Sequence, residues 1–225
     1  MSNIGYRIYN TIHRPPRELV EGFAEIPVAN IADNMNRLAC IDARIRPMNN
    51  APLLGTAFTI KTRPGNNLLL HKALDMAKPG DVIVVAAQGR LENAITGELM
   101  ISWAKERGIA GLIIDGAIRD AAAVRKMDIP VYAAGVTPNG PYKDPCGEIN
   151  APVSCGGIVI NPGDILVGDA DSVVVIDPKD AEELLAKSRE VLAKETVFLE
   201  EIHKGKWDRT WVDKMLRDTG CEFID

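Results

Sequence analysis

A chain of 225 residues, 46% apolar and carrying a formal charge of -5 with a pI near 5.3, has enough apolar material for a buried core without a disulfide or structural metal. Its charges are spread, with no basic stripe to follow a polyanionic backbone, so nucleic acid is not an expected ligand. Cys40, Cys146, Cys155 and Cys221 lie too far apart for a CxxC zinc or redox pair, no apolar run follows a basic start in residues 1–17, and no stretch reaches the ~18 to 20 apolar residues of a membrane helix; reduced thiols, a cytoplasmic location and no membrane contact are expected.

In chain order, the apolar spacing predicts helix from Glu18 to Leu38, broken at Pro27 and resumed near Ile31, then a turn-rich stretch around Pro47 to Pro52. A strand is predicted over Gly55 to Thr62 and a helix over Asn67 to Ala77. Pro79-Gly80-Asp81 ends that helix and opens a strand through Ala86. Leu99, Met100, Trp103 and Ala104 recur at three- and four-residue spacing, which predicts a helix from Gly97 to Arg107 stopped by Gly108. A strand Gly111 to Ile114, a turn at Asp115-Gly116, a short helix Asp120 to Met127 and a strand Ile129 to Ala134 follow. This alternation predicts α/β architecture.

Gly135 to Pro152, with Asn139-Gly140 and Asp144-Pro145, reads as a long loop that either covers a pocket or is simply solvated. Strands return at Gly157 to Ile160 and as a hairpin of Ile165 to Val167 with Ser172 to Ile176. Asp81, Asp164 and Asp169 read as turn formers. Pro178 opens a long amphipathic helix to about Lys204, and a last helical piece runs from Trp207 to Arg217.

The segment GELMISWAKERGIAGLIIDGAIRD, residues 97–120, carries the most chemistry. A helix starting at Gly97 and returning along the strand at Gly111 brings that strand's C-terminal end back to the helix N-terminus, where ligands of α/β folds sit. There the free N–H groups of Leu99 and Met100 can hold an anionic oxygen, and Arg119 offers a planar fork for a carboxylate and its adjacent keto oxygen. Asp120 supplies a hard oxygen ligand, and Glu98 reaches the same ion directly or through water. So small a ligand set suits Mg2+ or Mn2+. A plainer reading stands beside this one: Asp120 as the N-cap of the next helix and Glu98 as a favourable first-turn charge. His71 is either a proton relay as a neutral imidazole or a hydrogen-bonded, half-buried side chain, and Asn67 either lines the pocket or caps its helix.

That string, together with Pro64-Gly65-Asn66-Asn67-Leu68, His71 and GVTPNGPYKDPCGEINAPVSCGGIVINPGDILVGDADSVVVI, resembles the RraA-like family over roughly Val28 to Gly205. The resemblance implies one β/β/α-layered domain, swivelling-domain-like, with its core over about residues 28–177 and a helical extension over 178–225. It implies a class II aldolase without a Schiff base, assembled as a trimer or hexamer, cleaving a 4-hydroxy-2-oxo dicarboxylic acid to pyruvate and decarboxylating oxaloacetate. The family pattern is an acidic residue, a gap of twenty, then Arg-Asp. Here it is Glu98 followed by Arg119-Asp120, with Glu where Asp is more usual.

By that resemblance Arg119 binds the pyruvyl group, Gly97, Leu99 and Met100 its oxygens, and Asp120 the metal. Asn67 and His71 line the substrate pocket. A glutamate from the neighbouring subunit's C-terminal helix is expected near the ion: Glu195, with Glu200 and Glu201 as alternatives. The same family contains a regulator that binds and inhibits an RNA-degrading endonuclease, so a ribonuclease-binding protein is the contrasting class. A lyase or hydrolase acting on another hydroxy-oxo or sugar-acid derivative is the third reading. No glycine-rich loop follows an early strand, which disfavours a methyltransferase.

Overall fold

The apolar runs of the core strands alternate between two faces, and this positions the site. The structure, a computed structural model, describes residues 3–224. Four parallel strands form its centre: β3 (Leu53–Lys61), β4 (Asp81–Thr96), β5 (Gly111–Ile118) and β6 (Val131–Val136), hydrogen-bonded in that order. On one face Phe58, Ile83, Val85, Leu112 and Ile114 pack against α3 (Leu68–Met76), α4 (Glu98–Glu106) and α5 (Ala121–Val124). On the other, Ala57, Val82, Val84, Ile113 and Tyr132 meet a β layer made of two hairpins, β8 (Val153–Cys155) with β9 (Ile158–Ile160) and β10 (Ile165–Gly168) with β11 (Val173–Ile176). The layering is therefore β/β/α, and the period-2 pattern of buried residues is its cause.

The β10–β11 hairpin is apolar on both sides. Leu166, Val173 and Val175 face the central sheet, while Ile165, Val167, Val174 and Ile176 meet α1 (Arg17–Glu21), α2 (Val28–Asp33) and the start of α6 (Ala181–His203). The predicted helix from Glu18 to Leu38 is reduced to two short pieces: α1 already ends at Glu21, ahead of Pro27, and α2 runs only from Val28 to Asp33, with the carboxylate of Asp169 accepting the Val28 N–H at 3.1 Å. Two short strands close the sheet edges: β1 (Tyr6–Ile8), parallel to β7 (Gly147–Ile149), and β2 (Arg46–Pro47), antiparallel to β6.

Three predicted elements are corrected. Asp115-Gly116 is no turn: both residues lie buried inside β5, where Asp115 is held by Arg44 at 2.7 Å. β4 continues ten residues past Ala86 to Thr96, through Gln88 and Gly89 at positive φ and three shifts of register. The polar run Gln88 to Asn93 hides that continuation, because its side chains do not alternate and the pairing to β5 is carried by backbone alone. The loop after β6 contains β7, buried at Ile149, which pairs with both β1 and β3. α4 has the predicted extent but a different buried face: Ile101 and Ala104 are in the core, while Leu99 and Trp103 are 81% and 51% exposed.

Contacts group the chain into two units, the first ending at Ser188 and the second beginning at Arg189. The second holds the rest of α6 and α7 (Thr210–Asp218), a helix with no buried residue. In it the Arg209 guanidinium lies 4.6 Å from the Trp207 ring centre and that of Arg217 4.9 Å from Phe223. No helix among the described residues is long and apolar enough to cross a membrane.

Candidate active site

β4 and β5 end side by side, with Thr96 paired to Ile118, and the Arg119 N–H donates to the Thr96 carbonyl at 2.9 Å. One chain then turns into α4 and the other into α5. Two parallel strand ends and a helix N-terminus are thereby brought to one point, the place where α/β folds bind ligands.

The contacts at this point are close. The Asp120 side chain reaches across to α4, where its Oδ2 accepts the Glu98 N–H at 3.0 Å and lies 3.7 Å from Arg119 Nε. Asp120 does hold the N-cap position of α5, but its side chain makes no cap bond there and instead receives the first N–H of α4. Its backbone is left-handed, φ 58° and ψ 34°, a region that Asp tolerates better than most residues. Gly97 makes the approach feasible. A Cβ there would lie 2.3 Å from Asp120 Oδ2 and 2.7 Å from Arg119 Cγ.

Beside this cluster is a cleft of about 380 Å3. Asn67 and His71 from α3 and its entry, Thr96 and Gly97 from the end of β4, Leu99 and Met100 from α4, and Arg119 line it, together with Gly140, Pro141 and Lys143 of the β6–β7 connection. A second hollow, about 420 Å3, shares Arg119 and is lined by Asp120. Of the residues predicted for the site, Asn67, His71, Gly97, Leu99, Met100 and Arg119 share the cleft and Asp120 adjoins it. The exposed Glu98 lines neither hollow and contributes its N–H to Asp120. Glu195, Glu200 and Glu201 lie on α6 within the second unit.

Sequence reasoning missed Thr96 and Lys143. Nothing local marks them; both are placed by contacts distant in the chain. Asn66, not Asn67, supplies the side-chain oxygen at the entry of α3, accepting the Leu68 N–H at 3.1 Å. Asn67 instead points its amide N–H at the Ile95 carbonyl, 3.0 Å away, and leaves its Oδ1 buried without a partner, as is the hydroxyl of Thr96. His71 is exposed and not half-buried; the desolvation of one part of its ring, reinforced by Lys143 and opposed by Asp75, lowers its pKa from the ordinary value.

This donor set suits some cations and not others. Asp120 Oδ1 accepts no hydrogen bond among the described residues, and the side chain is 42% exposed. No group of three or more His, Cys, Asp or Glu side chains able to hold a metal occurs among the described residues. One or two carboxylate oxygens fit an ion that keeps most of its waters, Mg2+ or Mn2+, and do not fit the closed cage of a structural Zn2+.

Fold and cleft together define an α/β protein with a pocket at paired strand ends lined by Arg119 and Lys143 and by no acidic residue. The Aldolase/RraA family model matches residues 28–175, and the chain belongs to that family. It is 40% identical over 173 residues to a protein of Halalkalibacterium halodurans provisionally named 4-hydroxy-4-methyl-2-oxoglutarate aldolase, covering 76% of this chain and 82% of that one. Among solved structures, an uncharacterized protein from Pseudomonas syringae superposes with a TM-score of 0.75 at 25% identity, over 86% of this chain and 96% of that one. RraAS2 of Streptomyces coelicolor, described as an unusual member of the RNase ES inhibitor RraA family, superposes with a TM-score of 0.74 at 27% identity, over 82% of this chain and 98% of that one.

Proposed function

We propose that this protein is a divalent-metal-dependent aldolase that cleaves a 4-hydroxy-2-oxo dicarboxylic acid to pyruvate and a second 2-oxo acid, and that it also decarboxylates oxaloacetate. The observation carrying this reading is that Arg119 and the open N-terminus of α4 share a cleft with no acidic residue in its lining, while Asp120 is held just outside it. The substrate's C1 carboxylate and C2 keto oxygen sit against the Leu99 and Met100 N–H groups, which have no intrahelical acceptor, and against the Arg119 fork. A divalent ion held by Asp120, with Glu98 acting through water, would supply further positive charge beside the keto oxygen.

Neutral His71 accepts the proton of the C4 hydroxyl. As the C3–C4 bond breaks, its electron pair moves to the C2 oxygen as an enolate, C4 becomes a ketone, and Arg119 stabilises the developing charge. The proton that His71 took from the C4 hydroxyl, passed to C3 through water, completes pyruvate and restores the neutral imidazole. With 4-hydroxy-4-methyl-2-oxoglutarate both halves leave as pyruvate. Oxaloacetate needs the same enolate, its carboxylate leaving as CO2. The reading carries a cytoplasmic location and a trimer or hexamer with it.

Purified protein supplied with 4-hydroxy-4-methyl-2-oxoglutarate and Mg2+ is expected to release pyruvate, to lose this activity reversibly with chelator, and to lose it by about 100-fold or more in Arg119→Ala with the fold intact. Metal-independent turnover would overturn the mechanism. The likeness to RraAS2 supports a second reading as a ribonuclease-binding protein. Absence of lyase activity together with capture of a purified endonuclease would favour it.

A further inference from the structure

We infer that Asn93, which does not itself line the cleft, is a positioning residue for it: carried on an excursion of β4, it holds the Gly140 carbonyl and so fixes the part of the lining that lies next to Arg119. This rests on the aldolase reading only for the choice of pyruvate as the ligand that reports on Arg119.

The register of β4 against β5 is the first ground. Arg90 pairs with Gly116 and Ala94 with Ala117, so β4 advances four residues while β5 advances one. Leu91, Glu92 and Asn93 therefore stand outside the ladder, an arrangement that re-aims side chains beside functional sites. The excursion is anchored from below. Gln88 and Gly89, just before it, take positive φ, 62° and 67°, which is costly for Gln and free for Gly. A Cβ at Gly89 would lie 3.3 Å from the guanidinium carbon of Arg44 and 3.3 Å from Asp115 Oδ1. Those two side chains are joined at 2.7 Å, and that of Asp115 is 4% exposed. The chain thus leaves the ladder against an ion pair whose carboxylate is buried.

What the excursion reaches is the second ground. Residues 138–141 join two anchored points: Thr137, whose N–H donates to the Ile118 carbonyl at 3.0 Å, and Tyr142, whose N–H donates to the Gly65 carbonyl at 2.7 Å. Between them Pro138 and Pro141 have no N–H to give. The hydrogen bonds that residues 138–141 make among the described residues all come from Glu92, Asn93 and Ala94. Ala94 N–H donates to the Asn139 carbonyl at 2.9 Å, Asn139 Nδ2 to the Glu92 carbonyl at 2.9 Å, and Asn93 Nδ2 to the Gly140 carbonyl at 2.7 Å. Only the last of these holds a residue of the cleft lining, since Asn139 is not part of it. Asn93 also packs on Gly65, where a Cβ would lie 2.8 Å from its own Cβ. A Cβ at Gly140, in turn, would lie 3.6 Å from Arg119 Nη1, so the backbone that Asn93 holds is the neighbour of the guanidinium. Fixing that neighbour beforehand removes ordering that a ligand at Arg119 would otherwise have to bring about.

Amide hydrogen exchange, and calorimetric titration with pyruvate in Mg2+ buffer, on the full chain and its Asn93→Ala and Asn93→Asp variants test this. Asn93→Asp keeps the shape of the side chain and its packing on Gly65, but a carboxylate cannot donate to the Gly140 carbonyl. Both variants are expected to speed exchange of the Ala94 and Tyr142 N–H groups about fivefold or more, and to weaken pyruvate binding by a similar factor. Exchange of the β3 amides and the far-UV circular dichroism should stay as in the wild type. Wild-type behaviour of Asn93→Asp, unchanged exchange at Ala94 and Tyr142, or undiminished pyruvate affinity in both variants would overturn the inference. Faster exchange spread through β3 would do so as well, because Asn93 would then support the sheet and not the cleft. If the wild-type chain binds no pyruvate, the aldolase reading fails, and the inference about Asn93 stands or falls on the exchange alone.

Discussion

Asp120 serves two ends that substitution can separate. Its carboxylate caps α4 through the Glu98 N–H, and it is the cation ligand proposed for the site. Asp120→Asn keeps an acceptor for that N–H and removes the charge, so it should retain thermal stability and lose most activity. Asp120→Ala should lose activity and also about 1 kcal/mol of stability, read by urea denaturation. Gly97 works through close approach, since its backbone is extended and free of strain. Gly97→Ala drives a methyl into Asp120 and Arg119, and kcat/KM should fall by about 100-fold while the far-UV spectrum is kept. His71 has a pKa below its ordinary 6.5 because burial, then Lys143, disfavour its charged form. The unfolded chain therefore binds this proton more readily, so the contribution of His71 to stability is complete above pH 6.5 and declines as pH falls through the lowered value. An NMR titration should place the His71 transition below 6.5, and Lys143→Met should move it part of the way back.

At the scale of elements, one buried ion pair ties the segment ahead of the family-matched region to the central sheet. Arg14 grips Asp81, at the start of β4, through two hydrogen bonds of 2.7 Å, and the buried carboxylate also accepts the Lys78 N–H. Removing the arginine strands a carboxylate whose side chain is 1% exposed. Arg14→Met should therefore cost about 3 kcal/mol in urea denaturation, a loss that Arg14→Lys recovers only in part. Asp81 looks like a turn former in the sequence, and it is one toward Lys78, but no local signal announces an arginine 67 positions away. The same limit explains the missed half of β4 and the strand β7. Their apolar content is low and their partners are distant, whereas β3, the first half of β5, β6 and the β10–β11 hairpin were legible from dense runs of apolar, mostly β-branched residues.

For the whole molecule, the proposed trimer or hexamer leads to a concrete measurement. Light scattering on purified protein should report three or six copies; a monomer at working concentration would remove the expectation that Glu195, Glu200 or Glu201 reaches a neighbouring site. What the amino-acid sequence determined unaided was the class of architecture and the chemical inventory. Alternating β-rich and helical runs dictate an α/β fold, and the spacing of Glu98 from Arg119-Asp120 matches one helix and one strand, returning the pair to the helix N-terminus. Only the tertiary structure decided which of these groups share a cleft. It turned Asp120 onto α4, left Glu98 outside the cleft, brought Lys143 to the cleft that Arg119 lines and left Asn67 Oδ1 and the Thr96 hydroxyl buried without a hydrogen-bond partner. The reason is physical: periodicity encodes which face of an element is buried, but the direction of a polar side chain at a strand end is set by backbone groups and charges brought there from elsewhere in the chain.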